Sequence, residues 1–261
     1  MFEISVEVVL LLVMAGFVAG FIDAIAGGGG LITVPALLLA GLPPVDALGT
    51  NKLQSLFGSG SAVISYASKG HVDLRKQWPS ALASAFASVA GALLATVLPS
   101  SVLDFMLPLL LIGIAIYFLV KPNMSDVDRA QRMTPFVFGM TLVPLIGFYD
   151  GAFGPGTGSF FMLAFVSLAG FGVLKATAHT KTLNFASNIG AFITFTLVGA
   201  MHWKIGLVMG AAQFAGARLG AGLAMKGGAK VIKPLLVTMC ILLAAKLLLE
   251  EHNPLRAFIG L

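Results

Sequence analysis

Apolar stretches close to the length that crosses a bilayer follow one another along almost the whole sequence. They lie at roughly 6–22, 45–67, 77–98, 102–120, 134–149, 173–200, 204–225 and 229–250. A hydrocarbon core about 30 Å thick takes about 20 apolar residues of helix to cross. Only 10% of the 261 residues are charged, 58% are hydrophobic, and the mean hydropathy is +0.97, so the chain lacks the polar surface of a soluble domain this size. The pattern predicts an all-α polytopic membrane protein. Two shorter apolar segments, 30–41 and 158–170, would rise only about 16 to 20 Å as helix. They are either thin crossings or re-entrant segments, which gives about eight to ten membrane segments in all.

A formal net charge of +5 and a pI near 9.5 raise the question of nucleic acid. The basic residues, however, stand singly or in small clusters between apolar segments, which is the placement of the positive-inside rule. A nucleic-acid partner is therefore not expected; the lipid bilayer is. The single cysteine, Cys240, lies in a long apolar run, permits no internal disulfide and reads as a packing residue. Near the N-terminus, Ala24-Ile25-Ala26 after an apolar run imitates a signal-peptide cleavage site. Against that reading, the run is preceded by Glu3 and Glu7 rather than by basic residues, and the same pattern recurs internally. The segment is read as the first membrane helix.

The recurrence divides the chain. The one sustained polar stretch, Lys121 to Arg132, falls near the midpoint and separates residues 1–120 from residues 134–261, with 121–133 as a cytoplasmic linker. Asp23 to Gly27 and Gly29 match Asp150 to Gly154 and Gly156. Gly41 answers Gly170, Asn51-Lys52 aligns with Thr180-Lys181, Ser55 with Asn184, Ser59 with Asn188, Gly70 with Gly199 and Gly91 with Gly220. A nearly constant offset over so long a stretch marks a tandem repeat, a construction common in transporters. In the first half, basic residues mark the turn after the third segment (Lys69, Arg75, Lys76). In the second they mark a different turn (Lys226, Lys230, Lys233), so two inverted repeats with both termini outside are predicted.

Two features inside the apolar region carry chemistry. The first is a pair of glycine-rich breaks, Gly27 to Gly30 and Gly154-Pro-Gly-Thr-Gly158. Each glycine costs a helix about 1 kcal/mol and proline about 3. Broken backbone at membrane depth is tolerated only within protein or beside a water-filled cavity. The helix that restarts after each break presents unpaired N–H groups and a positive dipole end, which suits an anion. The plainer alternative is a kink or close-packing point. Neither break is a dinucleotide fingerprint or a P-loop, because both follow membrane helices and no Gly-Lys-Ser/Thr follows them.

The second feature is a set of ionisable residues in or beside apolar helices: Asp23, Lys52, Asp150, His179 and Lys181. Each charge costs about 2.5 to 3.5 kcal/mol at the centre of a membrane helix. One reading pairs Asp23 with Lys52 and Asp150 with Lys181 for structure alone. The other uses the lysines to attract an anion while Asp23, Asp150 or His179 carries a proton. Asn51, Gln54, Thr180, Asn184 and Asn188 supply hydrogen-bonding groups around the lysines, with Asn184 and Asn188 on one helix face. Gly28, Gly29, Gly156 and Thr157 complete the candidate substrate site at the breaks. Arg218 is as well placed to snorkel to the interface as to line a cavity, Lys246 and Glu250 read as a rim pair, and Gly206, Gly210, Gly216 and Gly220 with Ala87 and Gly91 read as tight helix contacts. No HExxH, metal-ligand cluster or nucleophile elbow occurs. No enzyme, catalytic residue, metal or cofactor is expected.

The segments Gly20 to Pro35, Gly41 to Lys52 and Gly147 to Gly158 resemble the TauE/SafE family, the sulfite exporter and 4-toluene sulfonate uptake permease group, and the resemblance covers nearly the whole chain. It implies a bacterial inner-membrane permease, multi-pass, that moves small sulfur-containing anions such as sulfite, sulfonates or sulfoacetate without ATP. It leaves open which anion, in which direction, with which coupling ion, and whether the protein forms a homo-oligomer. The halves are not equivalent, since Thr180 stands where the first copy has Asn51 and His179 where it has Thr50. The expectation is a secondary transporter working by alternating access, with a passive anion channel or a non-transporting membrane scaffold as the alternatives.

Overall fold

The structure, a computed structural model, describes residues 5–99, 126–232, 234, 235 and 238. Among these residues the helices are α1 (Val6–Ala26), α2 (Gly30–Leu39), α3 (Pro44–Ser68), α4 (Leu74–Val97), α5 (Pro135–Met140), α6 (Leu142–Ala152), α7 (Thr157–Ser167), α8 (Val173–Val198) and α9 (Trp203–Gly227), with no strand. The expected helix 102–120 and most of 229–250, with Cys240, Lys246, Glu250 and His252, lie outside the described residues.

Local chemistry sets most helix starts. The Ser5 hydroxyl accepts from the Val8 N–H, Asp73 from Arg75 and Thr134 from Val137, while Pro44 and Pro135 occupy first-turn positions where a missing N–H costs nothing. Two boundaries differ from the sequence reading. Helix α1 runs on to Ala26 rather than ending near residue 22, so Asp23 projects from an intact last turn. The single helix expected at 134–149 is two, broken at Thr141. Pro144 has no N–H for the Met140 carbonyl and its ring crowds that carbonyl, which forces the interruption one turn upstream.

Polarity is distributed inside out. Helices α1, α4 and the α5–α6 pair are long and apolar enough to cross a membrane. Large apolar side chains such as Leu39 (85% exposed) and Leu197 (82% exposed) point outward, as a surface facing lipid tails requires. The most polar long helices, α3 and α8, are central, and bury Asn51, Lys52, Gln54 and Ser55 on one and Thr180, Lys181, Asn184 and Asn188 on the other. They run antiparallel: Gly49 near the start of α3 meets Ala200 and Phe195 at the end of α8, and Gly60 further along α3 meets Phe185.

The packing is reciprocal between the halves. Helix α1 packs on α9 and α6 packs on α4; α3 packs on α9 and α8 on α4. Gly220 lies against the Phe21 carbonyl and Gly91 against the Phe148 carbonyl, so close that a Cβ would collide with either. Under the sequence offset these are one contact with the halves exchanged. The glycine positions read from sequence are thus tight contacts, with Gly206 and Gly210 against Leu53 and Phe57 of α3 and Gly216 against the Phe17 carbonyl.

One end of the bundle is basic. The turn between α3 and α4 carries Lys69, with Arg75 and Lys76 just inside α4, and the segment 126–134 brings Arg129 and Arg132 beside the α7–α8 turn through Arg129 N–H to Gly170 O (2.7 Å) and Arg132 N–H to Leu168 O (2.9 Å). Asp126 reaches the end of α9 by accepting from the Ala229 N–H at 2.8 Å, which places Lys226 and Lys230 at this end too. Asp128 caps the start of α8 by accepting from the Gly172 N–H and pairs with Lys175 at 2.7 Å. The Lys175 hydrogen bond, followed by the Gly172 N–H, holds the Asp128 carboxyl below the usual carboxylate range.

Candidate functional site

The two breaks meet in the middle of the bundle. After Ala26, Gly27 and Gly28 adopt φ of 79° and 93°, and in the second half Gly154 and Gly156 adopt 86° and 84°, a region open to glycine at little cost. A Cβ on Gly27 would lie 2.5 Å from the Gly158 carbonyl carbon and the Ser159 nitrogen, so the breaks lie back to back with no side chain between them. Carbonyls near the breaks receive side-chain hydroxyls. Tyr66 donates to Ala24 O (2.8 Å), Ser159 to Ala26 O (3.2 Å) and Tyr149 to Pro155 O (2.6 Å). That makes irregular backbone affordable at membrane depth.

Four buried charges converge on this crossing. Lys52 Nζ lies 2.8 Å from Asp150 Oδ1, and Lys181 Nζ lies 3.0 Å from Asp23 Oδ2. The within-half pairs expected from sequence, Asp23 with Lys52 and Asp150 with Lys181, are therefore exchanged. The reason is the reciprocal packing, which sets the acid at the end of each half's first helix beside the lysine of the opposite half. Each carboxylate is held further: Gly29 N–H donates to Asp23 Oδ1 at 3.0 Å, and the Thr157 hydroxyl lies 2.7 Å from both Asp150 Oδ1 and Gly154 O, which share its one proton. Charge-assisted bonds of this kind are about twice as strong as neutral ones. Both pairs are almost wholly buried, so removing one partner leaves a costly orphan charge.

Between the breaks lies a cavity of about 20 Å³, room for one water-sized occupant. Of the residues singled out from sequence, Asp23, Gly28, Gly29, Asn51, Lys52, Asp150, Gly156, Thr157, Asn184 and Asn188 line it. The N-terminal ends of α2 and α7 open onto it through Gly30 and Thr157, so both positive dipole ends face one space. Asn51 accepts from Thr33 (2.6 Å) and Gln54 (3.0 Å), and Asn188 donates to Asn184 at 3.4 Å. Lys181 stands behind Asp23 rather than in the wall. His179 is elsewhere, between the rings of Phe165 (5.6 Å) and Phe171 (4.9 Å), in the wall of a separate cavity of about 170 Å³ shared with Lys76 and Gln77. Arg218 is exposed and does not line the central cavity.

Sequence reasoning missed Gln213. It lines the cavity from α9, is 2% exposed, and its Oε1 has no hydrogen-bond partner. An amide inside a glycine- and alanine-rich stretch was the available signal, but its position between Gly210 and Gly216 places it in a packing ladder.

A family model described as "Sulfite exporter TauE/SafE" matches residues 12–247. Similar chains include a "Probable membrane transporter protein ORF9" from Sinorhizobium sp, 63% identical over 99% of both chains. A "Probable membrane transporter protein" from Haemophilus influenzae is 45% identical over 95% of this chain and 98% of its own. A "Probable membrane transporter protein YfcA" from Escherichia coli is 44% identical over 97% and 94%. No solved structure matches. A match over nearly the whole length, joined to relatives this similar, settles the kinship: the chain is a membrane protein of the sulfite exporter TauE/SafE family.

Proposed function

We propose that this protein is a secondary transporter of small sulfur-containing anions, such as sulfite, sulfonates or sulfoacetate, in a bacterial inner membrane. The observation that carries the reading is the convergence of Lys52, Lys181 and the two helix N-termini on one buried crossing point. A carboxylate bound to a lysine ammonium occupies the position that a sulfonate or sulfite oxygen would take, with the same charge and the same hydrogen bonds. The aspartates thus act as internal stand-ins for substrate. An anion binds by displacing one, and a proton on the displaced carboxyl removes the competition. Proton coupling follows from that exchange, with Asp23 and Asp150 beside the lysines and His179 outside the cavity.

The reciprocal contacts and the antiparallel run of α3 against α8 support two inverted repeats, residues 1–120 and 134–261, joined by 121–133. The concentration of lysine and arginine at one end supports a cytoplasmic placement of that end. A cavity this small is too narrow for a sulfonate, and repeats that move against each other would widen it toward either side in turn. The buried paired charges suit transport better than a scaffold role, since each carries an insertion cost that a scaffold would not recover.

Uptake and efflux of sulfite and a sulfonate panel by reconstituted protein test the reading. Lys52→Ala and Lys181→Ala are each expected to reduce flux at least tenfold. Wild-type flux in both variants would remove the site assignment, and flux unaffected by a proton gradient would favour a passive channel.

A further inference from the structure

The two ion pairs are alike in sequence but not in their use of hydrogen bonds. Asp23 is fully engaged: Oδ2 accepts from Lys181, and Oδ1 accepts from the Gly29 N–H, which ties the carboxylate to the break that follows its own helix. Asp150 is lopsided. Its Oδ1 accepts from Lys52 and shares the Thr157 hydroxyl proton with Gly154 O, while its Oδ2 is buried and has no partner. A buried carboxylate oxygen without a donor is costly, and such atoms call for an explanation. The lysines differ in the same sense, since Lys52 forms part of the cavity wall and Lys181 does not.

Resting on the transport reading above, we infer that Lys52 and Asp150 form the working pair, with one proton carried on Asp150 and the anion bound by Lys52, while Lys181 and Asp23 form a fixed clamp that holds the first break. A proton arriving from water bonds to Asp150 Oδ2 and neutralises the carboxylate. The Lys52 ammonium, released from its partner, binds the anion, and the protonated Oδ2 becomes a donor where it had no partner before. When the anion leaves, the proton returns to water and the pair closes. One positive and one negative charge cross together, so a monovalent anion moves without net charge. Asp150 is faced by Lys52 from α3 and, beyond Gly158, by the Lys181–Asp23 pair from α8 and α1; Tyr149 neighbours it on its own helix. Helix α4 meets α6 with Ser84, Ser88 and Gly91, and α5 and α7 carry no titratable residue.

The test uses the full chain in detergent and methanesulfonate, an anion that does not itself titrate between pH 5 and 8. With one linked proton, wild-type affinity falls about tenfold per pH unit wherever that proton has to be taken up on binding. Asp150→Asn is expected to abolish that slope. Asp23→Asn is expected to lower both the affinity and the melting temperature but keep the slope, because Asp23 lines the cavity without carrying the linked proton. If Asp150→Asn is not recovered folded, Thr157→Val decides. Loss of one donor to the carboxylate should move the onset of the slope to higher pH and leave its steepness intact, which a purely structural Asp150 would not do. A retained slope in Asp150→Asn, a lost slope in Asp23→Asn, or an unmoved onset in Thr157→Val overturns the assignment. Wild-type protein that binds and transports no sulfonate overturns the transport reading instead, and the assignment with it.

Discussion

Lys52 and Asp150, each buried to within 2% of complete, show how a membrane interior handles charge at the residue scale. Neither is tolerable alone, and each is provided for by a residue nearly a hundred positions away. The variant Lys52→Ala is expected to destabilise the protein by about 3 to 5 kcal/mol, mostly through the carboxylate left behind. The double variant Lys52→Met with Asp150→Leu should cost less than half as much, since it leaves no orphan. Thermal melts followed by tryptophan fluorescence give the coupling through a double-mutant cycle, and additive costs would contradict the pairing. The identities of these charges were legible in the sequence because an acid or lysine within an apolar helix stands out against its cost. Their partners were not. Pairing within a half and pairing across halves look the same in one dimension, and only the reciprocal crossing of the first helices decides between them.

Elements were legible wherever composition punishes the alternative. The glycine runs at Gly27 to Gly30 and Gly154 to Gly158 could not continue as helix, and both breaks occur there. What escaped notice were the aspartates of the polar linker, because capping depends on where the chain returns. Asp126 and Asp128 bind the start of α8 from more than forty positions away. The depressed Asp128 carboxyl fixes the sign of a pH effect. Its contribution is complete above the ordinary value of 3.8 and is lost as pH falls through its lower folded value. Asp128→Asn should speed hydrogen exchange in 126–134 and 168–175 at pH 7. In the wild type the same segments should loosen only below pH 4. Helix contacts give a second element-scale expectation. Gly91→Val drives a side chain into the Phe148 carbonyl and should cost about 1 to 3 kcal/mol, whereas Gly222→Val, with nothing within 4 Å, should cost little; equal melting temperatures would mean that α4 and α6 are not in close contact.

For the whole molecule, the informative property is that the site is narrow. Its cavity holds about one water, yet the proposed cargo is larger, so transport requires the two halves to separate around the crossing point. Ser55 reports on this motion. It lines the cavity, is 9% exposed, and sits one turn along α3 from Lys52. The sequence contains one cysteine, Cys240, so Cys240→Ala with Ser55→Cys yields a single thiol at the site. Buried in so narrow a site, that thiol should react only slowly with a membrane-impermeant maleimide applied to oriented vesicles. If the halves rock, labelling should proceed slowly from both sides, and a transported anion should change the two rates in opposite directions by favouring one opening over the other. A channel would label from both sides with no such opposition, and a rigid bundle would not label at all. Rates that rise on one face and fall on the other when sulfite or a sulfonate is added are the signature of alternating access, because a ligand shifts a two-sided equilibrium only through unequal affinity for its two states.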